Sequence, residues 1–231
     1  MDAPDPAGEA ESPRPHMSEP RDLILIGGGE HARVLAEAAA SRPELWRVIG
    51  FVDPQPCHET ERRLGLRAFA SDDDALRESG HALFILAIGR IRSADLRRKL
   101  VAHYSAAGAR WASVVHKAAW VSPTATAAPG SVVFAGAVVQ TGAALGAHAV
   151  VNTGAIIEHD VTVGDFTLVA PGAAVGGGTV IGPDAYLGLG CRIRDHLQIG
   201  SGVTVGMGAV VTRSVRDGVT VTGVPARERK D

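Results

Sequence analysis

Residues 133–175 read VFAGAVVQTGAALGAHAVVNTGAIIEHDVTVGDFTLVAPGAAV, and every sixth residue of this stretch, starting from Val133, is aliphatic. The register extends back to Val121 and forward to Val211 without a slip, and fifteen of its sixteen positions are Val, Ile or Leu. A second column, mostly of alanine, lies two residues before these positions. A period of six matches neither an α-helix, at about 3.6, nor a flat strand, at about 2. It is typical of a parallel β-helix, in which three six-residue sides form one coil.

Glycine often follows the aliphatic residue in this repeat, as at Gly146, Gly164 and Gly182. Because glycine adopts backbone conformations that other residues resist, we expect these glycines to form the turns between the sides. With three sides per coil, residues 121–216 supply a little over five coils. The stacked coils are predicted to bury the aliphatic column as one continuous core.

The composition of the chain excludes several other classes of protein. Of its 231 residues, 28 are glycine and only 4% are aromatic, which argues against an aromatic-rich β-sandwich. The formal net charge of −2 gives no electrostatic footprint for nucleic acid. Its two cysteines cannot build a disulfide framework or a metal cage, and no apolar run reaches the ~20 residues of a membrane span. We therefore expect a cytoplasmic protein with two free thiols that binds neither nucleic acid nor membrane.

The chain before the repeat divides into a tail and a folded unit. Residues 1–21 contain five prolines, several acids and no apolar h-region, so we predict a disordered tail and no signal peptide. Residues 22–116 alternate strand and helix patterns, which predicts a small parallel sheet of Rossmann-like α/β type. The predicted elements are strands at 23–26, 48–52 and 83–88 and helices at 31–40 and 93–107.

The predicted strands end in residues suited to binding a ligand. Gly27-Gly28-Gly29 follows the first strand, Asp53 the second and Gly89 the third, and ligands bind at the carboxyl ends of strands in such sheets. Gly27-x-Gly29-x-x-Ala32 resembles a dinucleotide fingerprint, with Asp53 about where an acid that binds ribose should lie. The unit is too short for two mononucleotide-binding halves, so it suits one nucleotide better than NAD. From residue patterns alone, a purely structural glycine turn remains the alternative.

One histidine of the repeat is a candidate general base. His159 stands two residues past an inward position, in Ile157-Glu158-His159-Asp160, so it is predicted to lie on the outer wall. Gly177 is one coil away in the same column and is expected to leave room for a ligand beside the imidazole. A carboxylate can fix an imidazole tautomer, and an unperturbed pKa of about 6.5 suits proton transfer. Taken by itself, a surface histidine beside an acid is usually just solvated.

From about residue 22 to residue 229 the chain resembles the nucleotide-sugar acetyltransferases, which include bacillosamine and perosamine N-acetyltransferases and sialic-acid O-acetyltransferases. The motifs that carry the resemblance are IGGGEHARV at 26–34, GFVD at 50–53, AIG at 87–89, VNTGAIIEHD at 151–160 and the ending GVPA at 223–226. The resemblance implies that the β-helix is left-handed and that residues 117–231 form an acyltransferase domain. It also implies a homotrimer with the active site between subunits.

The same resemblance assigns residues to the site. It implies that His159 is the catalytic base and that Asp160 orients it. It implies that residues 22–116 bind a nucleotide-linked amino sugar and that acetyl-CoA, with no metal, lies along the β-helix. The implied residues are Gly27, Gly28, Gly29, His31, Asp53, Gly89 and Asn152 for the sugar nucleotide, and Leu168, Gly177 and Met207 for acetyl-CoA. For Asn152, a turn residue with positive φ is the alternative.

Two positions depart from the pattern of the family. Leu168 stands where the bacillosamine enzymes have a second histidine, nine residues after the first, that contacts the acetyl-CoA thioester. Any role of that imidazole is therefore missing or supplied by another residue. Glu30 replaces the small residue that is common in the opening turn and is a candidate for contact with the substrate.

The leading hypothesis is transfer of an acetyl group from acetyl-CoA to the amino group of a nucleotide-linked sugar, such as a GDP- or UDP-linked 4-amino sugar. No serine or cysteine is poised as a covalent nucleophile, so we expect direct attack with His159 as general base. O-acetylation of a sugar or sialic-acid hydroxyl is the runner-up. A zinc hydratase of the γ-carbonic-anhydrase type is disfavoured because His148, His159 and His196 lack that family's close histidine pair. A silent sugar-nucleotide sensor is the third class, and the neighbouring Asp160 argues against it.

Overall fold

The computed structural model describes residues 19–55, 62–89 and 95–229. The elements of its amino-terminal unit are β1 Arg21–Ile26, α1 Glu30–Ala40, β2 Trp46–Val52, β3 Ala68–Phe69, α2 Asp72–Glu78, β4 Leu83–Leu86 and α3 Asp95–Ala106. The strands form a fully parallel sheet in the order β3-β2-β1-β4. The predicted Rossmann-like parallel sheet is therefore confirmed.

Some details of this unit differ from the prediction. β3 was not predicted because it is only two residues long. α2 was not predicted either, and it depends on a local cap in which Ser71 Oγ accepts a hydrogen bond from the Asp74 amide at 3.1 Å. The third predicted strand, 83–88, ends at Leu86, and residues 87–89 line a cavity instead. Of the predicted tail, residues 1–18 lie outside the described residues, while Arg21 pairs with Trp46 in the sheet.

The rest of the described chain forms a left-handed parallel β-helix with three flat sides. The first side contains β5 Val114–Val115, β8 Val132–Val133, β11 Val150–Val151, β14 Leu168–Val169, β17 Tyr186–Leu187, β20 Thr204–Val205, β22 Thr220–Thr222 and β23 Arg227–Glu228. The second side contains β6 Trp120–Val121, β9 Val138–Val139, β12 Ile156–Ile157, β15 Ala174–Val175, β18 Arg192–Ile193 and β21 Val210–Val211. The third side contains β7 Thr126–Ala127, β10 Ala144–Leu145, β13 Thr162–Val163, β16 Val180–Ile181 and β19 Gln198–Ile199. From β5 to β21 paired residues are 18 apart, as for Val151 and Val169, whereas Thr204 pairs with Thr220. The predicted boundary between residues 116 and 117 falls after β5.

The aliphatic column of the repeat forms the core of the β-helix. All fourteen of its positions from Val133 to Val211 are buried, whereas Val121 is half-buried and Ala127 is exposed at the open start of the helix. Cys191 belongs to the column of small residues, and burial raises the pKa of its thiol to about 11. A buried thiol with a raised pKa is unreactive, so Cys191 serves packing. Cys57 lies outside the described residues.

The glycines that follow the aliphatic residues serve close packing, and the prediction that they form the turns is wrong. A Cβ on Gly164 would lie 2.5 Å from the backbone nitrogen of Pro183 in the next coil. The left-handed turn conformation is found three residues after each column position from Ala127 to Val205, at fourteen corners from Gly130 to Gly208. Nine of these corners are glycine, and five carry side chains: His148, Asp160, Phe166, Asp184 and His196.

Apolar side chains of the first side hold the amino-terminal unit against the β-helix. The outward-facing residues Val132, Val150 and Leu168 belong to one buried cluster with Leu25 of β1 and Leu35 of α1. The two units therefore share a continuous hydrophobic core across the first side. Burial of this kind provides most of the stability of such contacts.

Three of the five non-glycine corners hold α3 in place. His148, Phe166 and Asp184 follow one another along the edge between the third and first sides. Arg97 of α3, only 2% exposed, donates hydrogen bonds to the carbonyl oxygens of His148 at 2.7 Å and Phe166 at 2.9 Å. Arg98 forms a bidentate ion pair with Asp184 and lies 4.4 Å from the centroid of the Phe166 ring. Because a buried guanidinium must be hydrogen-bonded, these contacts fix α3 on the β-helix.

Burial of His148 predicts a loss of stability in acid. Its imidazole stacks on the Phe166 ring with 5.0 Å between centroids, and burial, together with the charge of Arg97, lowers its pKa from 6.5 to about 4. Between these pH values the unfolded chain binds a proton at this residue and the folded chain does not. The free energy of unfolding therefore falls as the pH drops through this range.

In His148→Asn the free energy of unfolding should depend less steeply on pH, and the slope should fall by the equivalent of at most about one bound proton. Urea unfolding at several pH values between about 7 and 4 measures this slope. Asparagine is suitable because it tolerates a left-handed backbone. The exposed His81→Asn is the matched control and should leave the slope unchanged. Equal slopes in wild type and His148→Asn would contradict the prediction.

Candidate active site

The glycine loop, Asp53 and Gly89 meet at one edge of the amino-terminal sheet. Because β1, β2 and β4 run parallel, the residues that follow them emerge at the same edge. They border a cavity of about 460 Å³. The residues proposed from sequence that line it are Gly27, Gly29, His31, Asp53 and Gly89, and Gly28 lies in the same loop.

Hydrogen bonds that Asp53 accepts help to determine the shape of this loop. Its Oδ2 accepts from the amide of Gly28 at 2.7 Å, and its Oδ1 accepts from the amide of Gln55 at 2.9 Å. Each carboxylate oxygen can accept a second hydrogen bond, so Asp53 can also bind a ligand hydroxyl or N–H. Gly27 has a φ of +111°, and a Cβ there would lie 2.7 Å from Cγ1 of Ile88, so the loop requires glycine at this position.

His31 connects this cavity to the β-helix. Its ring meets Phe134, at an edge of the β-helix, edge-on with 5.5 Å between centroids. Burial lowers its pKa from 6.5 to about 4, and the charge of Arg97 acts in the same direction. The imidazole is therefore neutral near pH 7 and offers a ligand hydrogen bonds rather than positive charge.

A second cavity, of about 330 Å³, adjoins the first and was not expected from sequence. It shares Gly27, Asp53 and Ile88 with the first cavity and extends to Ser71 and Asp72 at the start of α2. A serine followed by three aspartates is a helix-capping signal that could have located α2 in the sequence. Together the two cavities form a groove along the carboxyl edge of the sheet.

His159 and Asp160 lie at the corner between β12 on the second side and β13 on the third. Nδ1 of His159 lies 3.0 Å from Oδ2 of Asp160, and this hydrogen bond raises the pKa of the imidazole above its ordinary value. With the Nδ1 proton donated to the carboxylate, Nε2 is the nitrogen that can accept a proton. The His159 side chain is 53% exposed, so solvent reaches it.

The space that Gly177 leaves is taken by the imidazole itself rather than by a ligand. A Cβ on Gly177 would lie 2.4 Å from Nε2 of His159. In the same way, a Cβ on Gly142 would lie 2.3 Å from Oδ1 of Asp160. Glycines in the two neighbouring coils therefore allow this pair to lie flat against the wall of the β-helix.

The other residues proposed from sequence lie on different parts of the β-helix. Asn152 is at the corner between the first and second sides, where its amide donates to the carbonyl oxygen of Val169 at 2.9 Å. Its φ is not positive, so the alternative of a left-handed turn residue is wrong. Met207 lies on the same edge and is 77% exposed, while Leu168 is 7% exposed on the first side. One chain therefore does not bring Asn152, Leu168 or Met207 to His159.

Neither a metal cluster nor a membrane helix is found in the described residues. Within residues 19–55, 62–89 and 95–229, no group of three His, Cys, Asp or Glu side chains could hold a metal ion. The helices in those ranges are too short or too polar to cross a membrane. His148 stands on a different edge from His159 and His196, so the three histidines of the repeat do not converge.

The hydrogen bond between Asp160 and His159 predicts a measurable shift in titration. Asp160→Asn removes the charge and keeps a side chain that tolerates the left-handed corner, so the pKa of His159 should fall. Titration of the imidazole resonances by NMR measures this pKa. Glu158→Gln is the matched control and should produce a smaller shift, because Asp160 is the main cause of the raised pKa and Glu158 contributes least. An unaltered titration in Asp160→Asn would show that the pair is uncoupled.

Comparison with known proteins identifies relatives over nearly the whole chain. Residues 22–104 match the family model of the PglD N-terminal domain. The acetyltransferase domain of PglB from Neisseria gonorrhoeae, solved in complex with acetyl coenzyme A, is 33% identical, with 91% of this chain and 100% of that chain covered and a TM-score of 0.81. A histidine-to-alanine mutant of GDP-perosamine N-acetyl transferase from Caulobacter crescentus, in complex with CoA and GDP-perosamine, is 33% identical, with 91% and 97% covered and a TM-score of 0.80. WeeI from Acinetobacter baumannii is 27% identical, with 90% and 100% covered and a TM-score of 0.77.

The comparison with curated proteins found no match. The structural relatives nevertheless span both the amino-terminal sheet and the β-helix at identities of up to 33%, so the likeness is not confined to one common fold. It confirms the resemblance carried by the motifs at 26–34, 50–53, 87–89 and 151–160. The chain therefore belongs to the hexapeptide-repeat family of nucleotide-sugar acetyltransferases and is an acyltransferase.

Proposed function

We propose that this protein transfers the acetyl group of acetyl-CoA to the amino group of a nucleotide-linked amino sugar, such as a GDP- or UDP-linked 4-amino sugar. The observation that carries the proposal is the exposed pair in which His159 Nδ1 lies 3.0 Å from Asp160 Oδ2. Two relatives support it, since the Caulobacter crescentus enzyme was solved with CoA and GDP-perosamine and the PglB domain with acetyl coenzyme A.

In the proposed reaction the amine of the sugar attacks the thioester carbonyl carbon directly. The C–N bond forms first and gives a tetrahedral oxyanion, and the C–S bond breaks when this intermediate collapses. Nε2 of His159 takes the proton from the attacking nitrogen, and the imidazolium returns it to the departing thiolate. The carboxylate of Asp160 stabilises the imidazolium between these two transfers and holds the ring in orientation. Backbone N–H groups stabilise the developing oxyanion.

The nucleotide part of the substrate is proposed to bind in the groove of the amino-terminal sheet. The cavity of about 460 Å³ is large enough for a small ligand. Asp53 is suited to accept hydrogen bonds from ribose hydroxyls or from the base. The neutral imidazole of His31 is suited to form uncharged hydrogen bonds with the ligand. Glu30 also lines this cavity and is proposed to contact the sugar.

Assembly as a homotrimer is part of the proposal. In one chain the groove adjoins Phe134 at the edge between the first and second sides, whereas His159 lies at the edge between the second and third. The second side between these edges presents Trp120 and Ile156, which are 59% and 39% exposed. Packing of second sides around a threefold axis would bury these side chains and let the groove of one copy face His159 of another.

The proposed contacts to acetyl-CoA also require more than one copy. Gly177, Leu168 and Met207 lie at one edge, on one side and at another edge of a single chain. One extended ligand can touch Gly177 and Met207 only where neighbouring copies meet, whereas Leu168 is buried against the amino-terminal unit and is closed to such a ligand. Light scattering measures the oligomeric state directly.

The deciding experiment measures CoA release from acetyl-CoA with a panel of nucleotide-linked 4-amino sugars, with hydroxyl sugars and sialic acid alongside. Turnover of an amino sugar supports the proposal and names the substrate. Turnover of hydroxyl acceptors alone identifies an O-acetyltransferase instead. Failure of every acceptor overturns the proposal.

His159→Ala is expected to lower kcat by about 10²–10⁴-fold, the usual contribution of a general base, while both substrates still bind. The activity of wild type should fall as the pH drops through the raised pKa of His159, because the base must be neutral. Steady-state kinetics over a range of pH measures both effects. His81→Ala, at an exposed position of the amino-terminal unit, is the control and should match wild type. A loss of less than tenfold in His159→Ala would be incompatible with general base catalysis by this residue.

A further inference from the structure

The two remaining non-glycine corners stand on the edge that carries the proposed base. Between the second and third sides the corners are Gly142, Asp160, Gly178 and His196, in successive coils. The non-glycine corners of the other edge pack against α3, but the side chain of His196 is 73% exposed. Nε2 of His196 lies 3.9 Å from the carboxylate of Asp195. A histidine in the left-handed region is strained, and strain that packing does not explain is typical of functional sites.

His196 and His159 approach the same stretch of glycine backbone from opposite directions. Gly176-Gly177-Gly178, which we call the glycine shelf, follows His159 by one coil and precedes His196 by one coil. A Cβ on Gly177 would lie 2.4 Å from Nε2 of His159, and a Cβ on Gly178 would lie 2.4 Å from Nδ1 of His196. The two imidazoles therefore lie over adjacent residues of the shelf.

We infer that His196 is a second imidazole of the active site and donates a hydrogen bond to the carbonyl oxygen of the acyl thioester. This inference rests on the proposed acetyl transfer. The carbonyl of a thioester can only accept hydrogen bonds, and an imidazole N–H can donate to it beside the backbone N–H groups proposed above. His159 cannot be that donor, because its Nδ1 is bonded to Asp160 and its Nε2 must be free to take a proton. His196 is the imidazole next to it on the same edge.

His196→Gly tests the inference without endangering the fold. It introduces at this corner the residue that occupies nine of the fourteen corners, so the melting temperature should be equal or higher. We expect kcat to fall by about 10²-fold, as on removal of one oxyanion donor. The acidic limb of the pH profile should stay in place, because His159 and Asp160 are unchanged. If kcat fell only together with the melting temperature, the inference would be overturned.

Calorimetry with acetyl-CoA and with CoA locates the contact. If His196 binds the acyl carbonyl, His196→Gly should weaken acetyl-CoA binding by about three- to tenfold and leave CoA binding unchanged. An equal loss for both ligands would place the contact on the CoA body and overturn the assignment. His196→Asn, which tolerates the corner and keeps an N–H donor, should recover part of kcat. His81→Asn is the histidine control and should behave as wild type.

The outcomes separate this inference from the proposed function. If wild type acetylates no acceptor, the proposed function fails, and the comparison of acetyl-CoA with CoA still tests His196. If wild type is active and His159→Ala is not, while His196→Gly turns over like wild type, only the inference about His196 fails.

Discussion

Each coil of the β-helix stacks on the next through parallel pairing of strands only two residues long, so the chain must turn sharply after every strand. That turn uses the left-handed backbone region at fourteen successive corners. Nine corners are glycine, which enters this region without steric cost. The five corners with side chains have additional roles. Three of them hold α3 on one edge of the β-helix, and the other two lie on the edge of the proposed chemistry.

The contact of α3 with the β-helix helps to position the groove of the amino-terminal unit. Arg97 donates to carbonyl oxygens of two corner residues in successive coils, and Arg98 pairs with the corner residue of a third. Since Leu96 and Leu100 of α3 line the groove, this contact also fixes one wall of the groove. The buried charge of Arg97 contributes to the low pKa values of His31 and His148, so both imidazoles stay neutral within the interface.

The separation of groove and base on one chain is a consequence of the threefold shape. The groove adjoins one edge of the prism, and His159 lies at the next edge. The exposed apolar residues Trp120 and Ile156 lie on the side between those edges. The proposed assembly of the active site from neighbouring copies is compatible with a subunit of this shape.

The β-helix and the parallel sheet could be predicted from the sequence because their signals are local. The six-residue period indicates which residues point inward, and this period is visible in residues 133–175 without any knowledge of contacts. Parallel strands also place Gly27, Asp53 and Gly89 at one edge by topology alone. The pair of His159 with Asp160 follows from adjacency in the chain.

Only the tertiary structure decided what depends on neighbouring coils and on the docking of α3. Gly164 gives room to the next coil rather than a turn, and Gly177 gives room to an imidazole rather than a ligand. Leu168, nine residues after His159, is half a coil away and faces the amino-terminal unit. These roles could not be predicted because residues 18 apart lie side by side in successive coils. A periodic sequence does not show which residue of such a pair fills the space with its side chain and which residue leaves the space open.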